Sequence, residues 1–188
     1  MSAENIKLAI VGPRGVGKDT VANYLAEKKG FTHISSGDLI RSYIIEHNLG
    51  APTREMCQKV AKELREKHGG DYLVRVAIEK NYPRLIISGL RAVPEVEGFK
   101  NLGGKVIAVT APIEIRYTWA ASRRDIDSTV TFEEFKNFDE REVTSADPNA
   151  QNVKGVIALA DYFIENSGNK EHLFTEIDLL LKEKFFLD

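Results

Sequence analysis

A chain of 188 residues with 43% hydrophobic side chains is the size of one domain and carries enough apolar sequence for a continuous core. Its 26 Lys+Arg against 28 Asp+Glu leave a formal net charge of -2, which argues against a nucleic-acid or membrane-surface protein and for a small-molecule partner. The single cysteine, Cys57, excludes an internal disulfide framework and a multi-cysteine metal site, the first residues carry no apolar leader, and no run approaches a membrane span, so the expectation is a cytoplasmic protein.

The first predicted element is a strand over the apolar run 7–11, and the motif GPRGVGKDT follows it at 12–20. Val21, Tyr24 and Leu25 then recur at helical spacing, so strand, glycine loop and helix arrive in the order a P-loop requires. Gly12, Gly15 and Gly17 permit backbone conformations that a side chain forbids and leave N–H groups free to face phosphate oxygens. Pro13, Arg14 and Val16 complete the candidate nucleotide-binding loop, and Lys18 adds a full positive charge at the start of the helix. The next residue is Asp19, where a hydroxyl normally meets Mg²⁺, and a hydroxyl appears only at Thr20. Either Asp19 holds the ion, directly or through water, or it only complements the helix N-terminus.

A second strand is predicted over 31–35, with Ser35 or Ser36 as a helix cap and Asp38 in the first turn that follows. The P-loop together with GFTHISSGDLIR, over residues 8–41, resembles the nucleoside monophosphate kinases, adenylate kinase above all. That resemblance implies ATP as phosphate donor with Mg²⁺, Ser36, Gly37 and Arg41 at the acceptor site, and Asp38 orienting water around the metal. Met56, Val60, Ala61 and Leu64 predict a helix over 53–64 capped by Thr53, and Leu73, Val74, Ala77 and Ile78 predict another over 71–80. An acceptor flap is expected at about 36–80. The stretch through TREMCQKVAKELREKHGGDYL is also similar to a group of P-loop proteins described as dephospho-CoA-kinase-like.

The third strand, 85–88, ends in Ser-Gly-Leu-Arg, where the resembled kinases carry an aspartate in place of Ser88. Arg91 suits an acceptor phosphate, because a guanidinium fork matches phosphate geometry. Absence of the aspartate places more of the metal's support on Asp19 and Asp38, or lowers activity. After the fourth strand, 106–110, Pro112 suits a first helical position, and Ile113, Tyr117 and Ala120 mark a buried stripe. Arg116 and Arg123 lie two turns apart on one helix face, about 10.5 Å, and Arg124 follows. In the resembled kinases such arginines stack on the base or close over the transferring phosphate, which implies a lid at about 121–150. Thr131 to Glu134 form a capping box for a helix to about 143 that carries a further lid candidate, Arg141.

Asn152 precedes an apolar helix predicted over 156–160, and the last strand, 162–165, is followed by Asn-Ser-Gly-Asn. This closing segment is similar to that of dephospho-CoA kinase, which implies that Asn166 to Asn169, Ser167 and Gly168 among them, border the donor base mainly through backbone groups; Asn169 alternatively only caps the last helix. His33, His47, His68 and His172 show no zinc-ligand spacing and are read as structural.

These elements predict an α/β fold, a single P-loop kinase domain over 1–188 with a five-stranded parallel sheet and helices on both faces. The expected activity is ATP-dependent phosphoryl transfer to a nucleoside monophosphate. A ribose hydroxyl acceptor, as in dephospho-CoA, and a non-catalytic ATP-binding regulator remain the alternatives.

Overall fold

The computed structural model describes residues 5–122, 130–141 and 151–187. Its first strand, β1 (Ile6–Val11), leads through the glycine loop into α1 (Lys18–Lys29). Next come β2 (Thr32–Ser35) and three helices, α2 (Ser36–Glu46), α3 (Arg54–His68) and α4 (Tyr72–Glu79). They are followed by β3 (Arg84–Ser88), α5 (Val93–Asn101), β4 (Lys105–Thr110), α6 (Ile113–Ser122) and α7 (Phe132–Arg141). The chain closes with α8 (Val153–Ala158), β5 (Tyr162–Glu165) and α9 (Lys170–Phe185). All five strands lie within one residue of their predicted bounds. They form one sheet of order β2-β3-β1-β4-β5, parallel throughout.

Alternation along the strands explains why both faces are covered. Leu8 and Ile10 of β1 point with Ile107 and Val109 of β4 toward α1 and α9, where Leu25, Ile177 and Leu181 are fully buried. Ala9 and Val11 point the other way, with Ile87 and Ala108, against Val74 and Ala77 of α4, Val96 and Phe99 of α5, and Val156 of α8. A smaller cluster, Ile40, Ile44, Val60, Leu64 and Leu73, joins α2, α3 and α4 beside the sheet. On the first face Tyr24 stacks on Phe174 at 4.0 Å and donates its hydroxyl to Asp178, whose carboxylate also meets Lys29 at 3.1 Å. Burial, the hydrogen bond to Asp178 and its charge push the Tyr24 phenol up to about 12.

Three helices depart from expectation, one of them α3, which runs four residues past the predicted 64 to His68. The helix α5 was not anticipated, although Pro94 at its start and Glu95 in its first turn are an N-terminal signature. The helix predicted over 156–160 instead begins at Val153, because Asn152 accepts the Gly155 N–H at 2.8 Å and caps it there. It ends early because Asp161 leaves the helix to exchange two bonds with Val106, one from each main-chain N–H, both 2.8 Å.

Asp161 also meets Lys100 at 3.1 Å and Lys105 at 3.9 Å. Burial pushes its carboxyl up, but the Val106 N–H, the Lys100 hydrogen bond and the two ammonium charges outweigh it and hold the group below its usual 3.8. A carboxyl lowered in the folded state stabilises the fold above the unfolded value, and this contribution is lost as pH falls from there through the folded value. Urea denaturation should therefore show a loss of stability below about pH 4 that is shallower in Asp161→Asn. Parallel pH profiles for the two proteins would remove Asp161 from this account.

Candidate active site

Connections from β1 leave toward β2, whereas those from the neighbouring β4 leave toward β5, so a crevice opens at the carboxyl ends of the sheet. The P-loop lies there, and its glycines are required by close approach as well as by conformation. Gly12 has φ +146°, and a Cβ on it would sit 2.2 Å from the Val109 carbonyl oxygen of β4. A Cβ on Gly15 would stand 3.0 Å from the Arg116 carbonyl oxygen, and one on Gly17 would stand 2.8 Å from the Asn166 amide nitrogen. The loop is thus pressed against β4, α6 and the segment after β5.

Gly17 caps α1 in the left-handed conformation and has no side chain to cap the first turn, and a helix N-terminus of this kind favours an anion. Lys18 Nζ folds over the loop and donates to the carbonyls of Gly12 at 2.9 Å and Pro13 at 2.8 Å. Its charge is therefore held over the loop. The Thr20 hydroxyl lies 3.9 Å from the Cβ position of Gly17, and Asp19 is exposed in the same turn.

Ser35 occupies the N-cap position of α2 without a side-chain bond, Ser36 is buried, and Asp38 is exposed in the first turn, ion-paired with Arg41. The β3 end comes up beside this turn: a Cβ on Gly89, whose φ is +84°, would lie 2.6 Å from Ser36 Oγ. Ser36 and the loop bearing Arg91 are therefore neighbours although 53 positions separate Ser36 from Gly89. The Arg91 side chain is exposed beyond this turn and reaches Gln151 at 3.5 Å.

Ser88, in the place of the expected aspartate, bonds His33 Nε2 at 2.8 Å. Burial pushes the His33 imidazole down, while the charges of Asp19 and Asp38 pull it up. Among the described residues no three acidic, histidine or cysteine side chains gather closely enough to hold a metal by themselves. The oxygen-rich set Asp19, Thr20 and Asp38 fits Mg²⁺, which keeps several waters and takes its remaining oxygens from phosphate.

Arg116 lies against the P-loop. It is 5% exposed, and its Nε donates to the Ala111 carbonyl at 3.2 Å and its Nη1 to the Arg14 carbonyl at 3.0 Å. Its fork also grips both carboxylate oxygens of Asp139 in α7 at 2.7 Å, and its guanidinium lies 5.9 Å from the Phe135 ring centroid. Burial of a permanent charge requires such partners, and they turn the side chain under the loop and away from solvent. Arg123, Arg124 and the side chain of Arg141 lie outside the described residues.

Asn166 holds the P-loop through a contact that sequence reasoning did not find. It is 7% exposed, and its Nδ2 donates to the Val16 carbonyl at 2.9 Å across 150 positions, tying β5 to the P-loop. Ser167 and Gly168 follow it, exposed, and Asn169 accepts the His172 N–H at 2.9 Å as the cap of α9. Replacing Asn166 by Ala should cost about 1–3 kcal/mol, because the Val16 carbonyl loses its partner, and should speed amide exchange over 12–17. Unchanged exchange there would refute the latch.

A protein-family model described as AAA domain matches residues 11–131, from the end of β1 to the start of α7. The chain belongs to the AAA domain family. Relatives named adenylate kinase bear out the resemblance of this AAA domain to the nucleoside monophosphate kinase-like P-loop superfamily. Adenylate kinase of Chloroherpeton thalassium is 32% identical over 134 residues, 66% of this chain and 62% of its own length. Adenylate kinase of Pyrococcus furiosus is 37% identical over 108 residues, 55% of this chain and 43% of its own. The AAA domain chain thus spans less than two thirds of the curated relatives it matches. Shikimate kinase from Acinetobacter baumannii, solved with shikimate, shares the fold at TM-score 0.59 and 20% identity over 95% of this chain and 94% of that one. A Thermus thermophilus structure does so at TM-score 0.62 and 20% identity, covering 96% and 98%.

Proposed function

We propose that this protein is an ATP-dependent phosphotransferase that moves a phosphoryl group to a nucleoside monophosphate. The observation that carries the reading is the meeting of the α2 N-terminus with the Arg91 loop, Ser36 against Gly89, beside the P-loop. Donor and acceptor phosphates would then approach across one crevice. Phosphoryl transfer asks a protein chiefly for alignment and charge stabilisation. The α1 amides and Lys18 would hold the donor's phosphates, and Ser36, Gly37, Arg41 and Arg91 the acceptor's. Asp19, Thr20 and Asp38 would hold Mg²⁺ and its waters, which when bound neutralises developing charge. Helices α2 to α4 would act as the acceptor flap at about 36–80, and Arg123, Arg124 and Arg141 as parts of a lid at about 121–150. Ser167 and Gly168 would border the donor base.

A monophosphate acceptor is already anionic and needs alignment, whereas a ribose hydroxyl benefits from a carboxylate free to take its proton. The Arg41 guanidinium lies over the α2 N-terminus, where a Cβ on Gly37 would meet it at 3.5 Å, and a cation there favours the anionic monophosphate. ADP release should be screened across ribo- and deoxynucleoside monophosphates and dephospho-CoA. Turnover with at least one monophosphate is expected; turnover of dephospho-CoA alone would overturn the acceptor, and ATP binding without any turnover would leave a regulator.

A further inference from the structure

Glu95 and Arg65 form a buried ion pair that the proposed reaction does not use. Glu95 is 2% exposed, Arg65 is 7% exposed, and Arg65 Nη1 donates to Glu95 Oε1 at 3.0 Å. The partners come from different elements, Arg65 from α3 and Glu95 from the first turn of α5. The second carboxylate oxygen, Oε2, accepts two main-chain N–H groups, from Arg91 at 2.8 Å and Ala92 at 3.0 Å. On its other side the Arg91 carbonyl accepts the Asn152 N–H at 2.7 Å. The backbone of Arg91 is therefore held at both its N–H and its carbonyl.

Helix capping alone does not account for this arrangement. A capping glutamate needs only the bond to the N-cap N–H and ordinarily sits in solvent. Burying a carboxylate and a guanidinium is costly and adds little net stability compared with an apolar pair. What this pair does supply is a definite position for the turn after β3. That turn is confined further where the chain crowds α5: a Cβ on Gly70 would meet Pro94 at 2.4 Å, and one on Gly155 would meet Val93 at 2.8 Å.

We propose that Glu95, oriented by Arg65, is a positioning residue for Arg91 and thereby sets the acceptor phosphate's place relative to the P-loop. The inference rests on the reading of Arg91 as an acceptor ligand. Guanidinium forks align phosphate only within about 0.5 Å, so a turn released from Glu95 would loosen the acceptor and leave the donor site, built on β1 and α1, unaffected.

Removing one charge alone strands the other, so paired variants are the test. In Glu95→Gln with Arg65→Met, a side-chain oxygen remains to accept the Arg91 and Ala92 N–H groups. In Glu95→Leu with Arg65→Met, none remains. With AMP and CMP as acceptors, the Gln pair should keep the monophosphate KM within about threefold of the parent, and the Leu pair should raise it by about tenfold or more. The ATP KM should stay within about twofold in both. Equal monophosphate KM values for the two pairs, or a joint rise of the ATP and monophosphate values, would overturn the proposal. Arg91→Ala in the same assay separates the layers. If it raises the monophosphate KM and the Leu pair does not, only the positioning role fails. If Arg91→Ala has no effect, or neither AMP and CMP nor any other ribo- or deoxynucleoside monophosphate turns over, the acceptor reading falls and takes the proposal with it. Hydrogen exchange on the parent protein decides the matter independently of whether the variants fold: the Arg91 and Ala92 amides should be protected about 100-fold or more, and fast exchange would refute the cradle.

Discussion

Lys18→Met is expected to lower ADP formation by about 10²-fold or more, because a preorganised charge on the transferring phosphate disappears. The ammonium sits on the Gly12 and Pro13 carbonyls at 2.9 and 2.8 Å, so the folded protein holds it in place without a ligand. A methionine keeps the unbranched stem and removes only the charge and its donors. Loss of the two bonds should cost stability modestly, by about 1–2 kcal/mol, since the carbonyls lie partly in reach of water. Turnover and urea denaturation measured on one preparation separate the two effects. Near-normal turnover by a folded variant would exclude Lys18 from the chemistry and undermine the proposed phosphotransferase.

Gly12→Ala should be the most damaging single substitution for the fold. A backbone at φ +146° costs a non-glycine residue about 1–3 kcal/mol, and here the added Cβ also lands 2.2 Å from the Val109 carbonyl oxygen. That oxygen belongs to β4, which is paired with β1 on one side and β5 on the other and cannot retreat without disturbing a ladder. The combined loss should reach about 3–5 kcal/mol. Gly50 provides the contrast: its φ is +113°, yet a Cβ there would meet nothing within 4 Å. Gly50→Ala should therefore show the conformational cost alone. Equal losses in the two variants would mean that the approach to Val109 is not what requires glycine at position 12.

Among the polar residues, those legible beforehand were the ones whose evidence is local. Thr53 and Thr131 cap α3 and α7 as their spacing implies, by accepting the Met56 N–H and the Glu134 N–H, both at 3.2 Å. The role of Asn152 was illegible, because half of it, the bond to the Arg91 carbonyl, depends on a residue 61 positions earlier. The burial and partners of Arg116 were illegible for a related reason. Helical spacing places it on a face but does not say whether that face meets solvent or the P-loop, and Asp139, which neutralises it, comes from another helix.

The sequence by itself determined the five strands, the parallel α/β class and the P-loop, since each follows from short-range periodicity and from glycines and a lysine at fixed spacing. Only the tertiary structure decided which residues support that loop. The order β2-β3-β1-β4-β5 sets β1 between strands 70 and more positions away from it in the chain, bringing Asn166 under Val16, Gly89 against Ser36 and Glu95 beside Arg65. Long-range contacts of this kind depend on sheet order and on what burial demands of each polar group, and neither is written in the residues adjacent to those that meet.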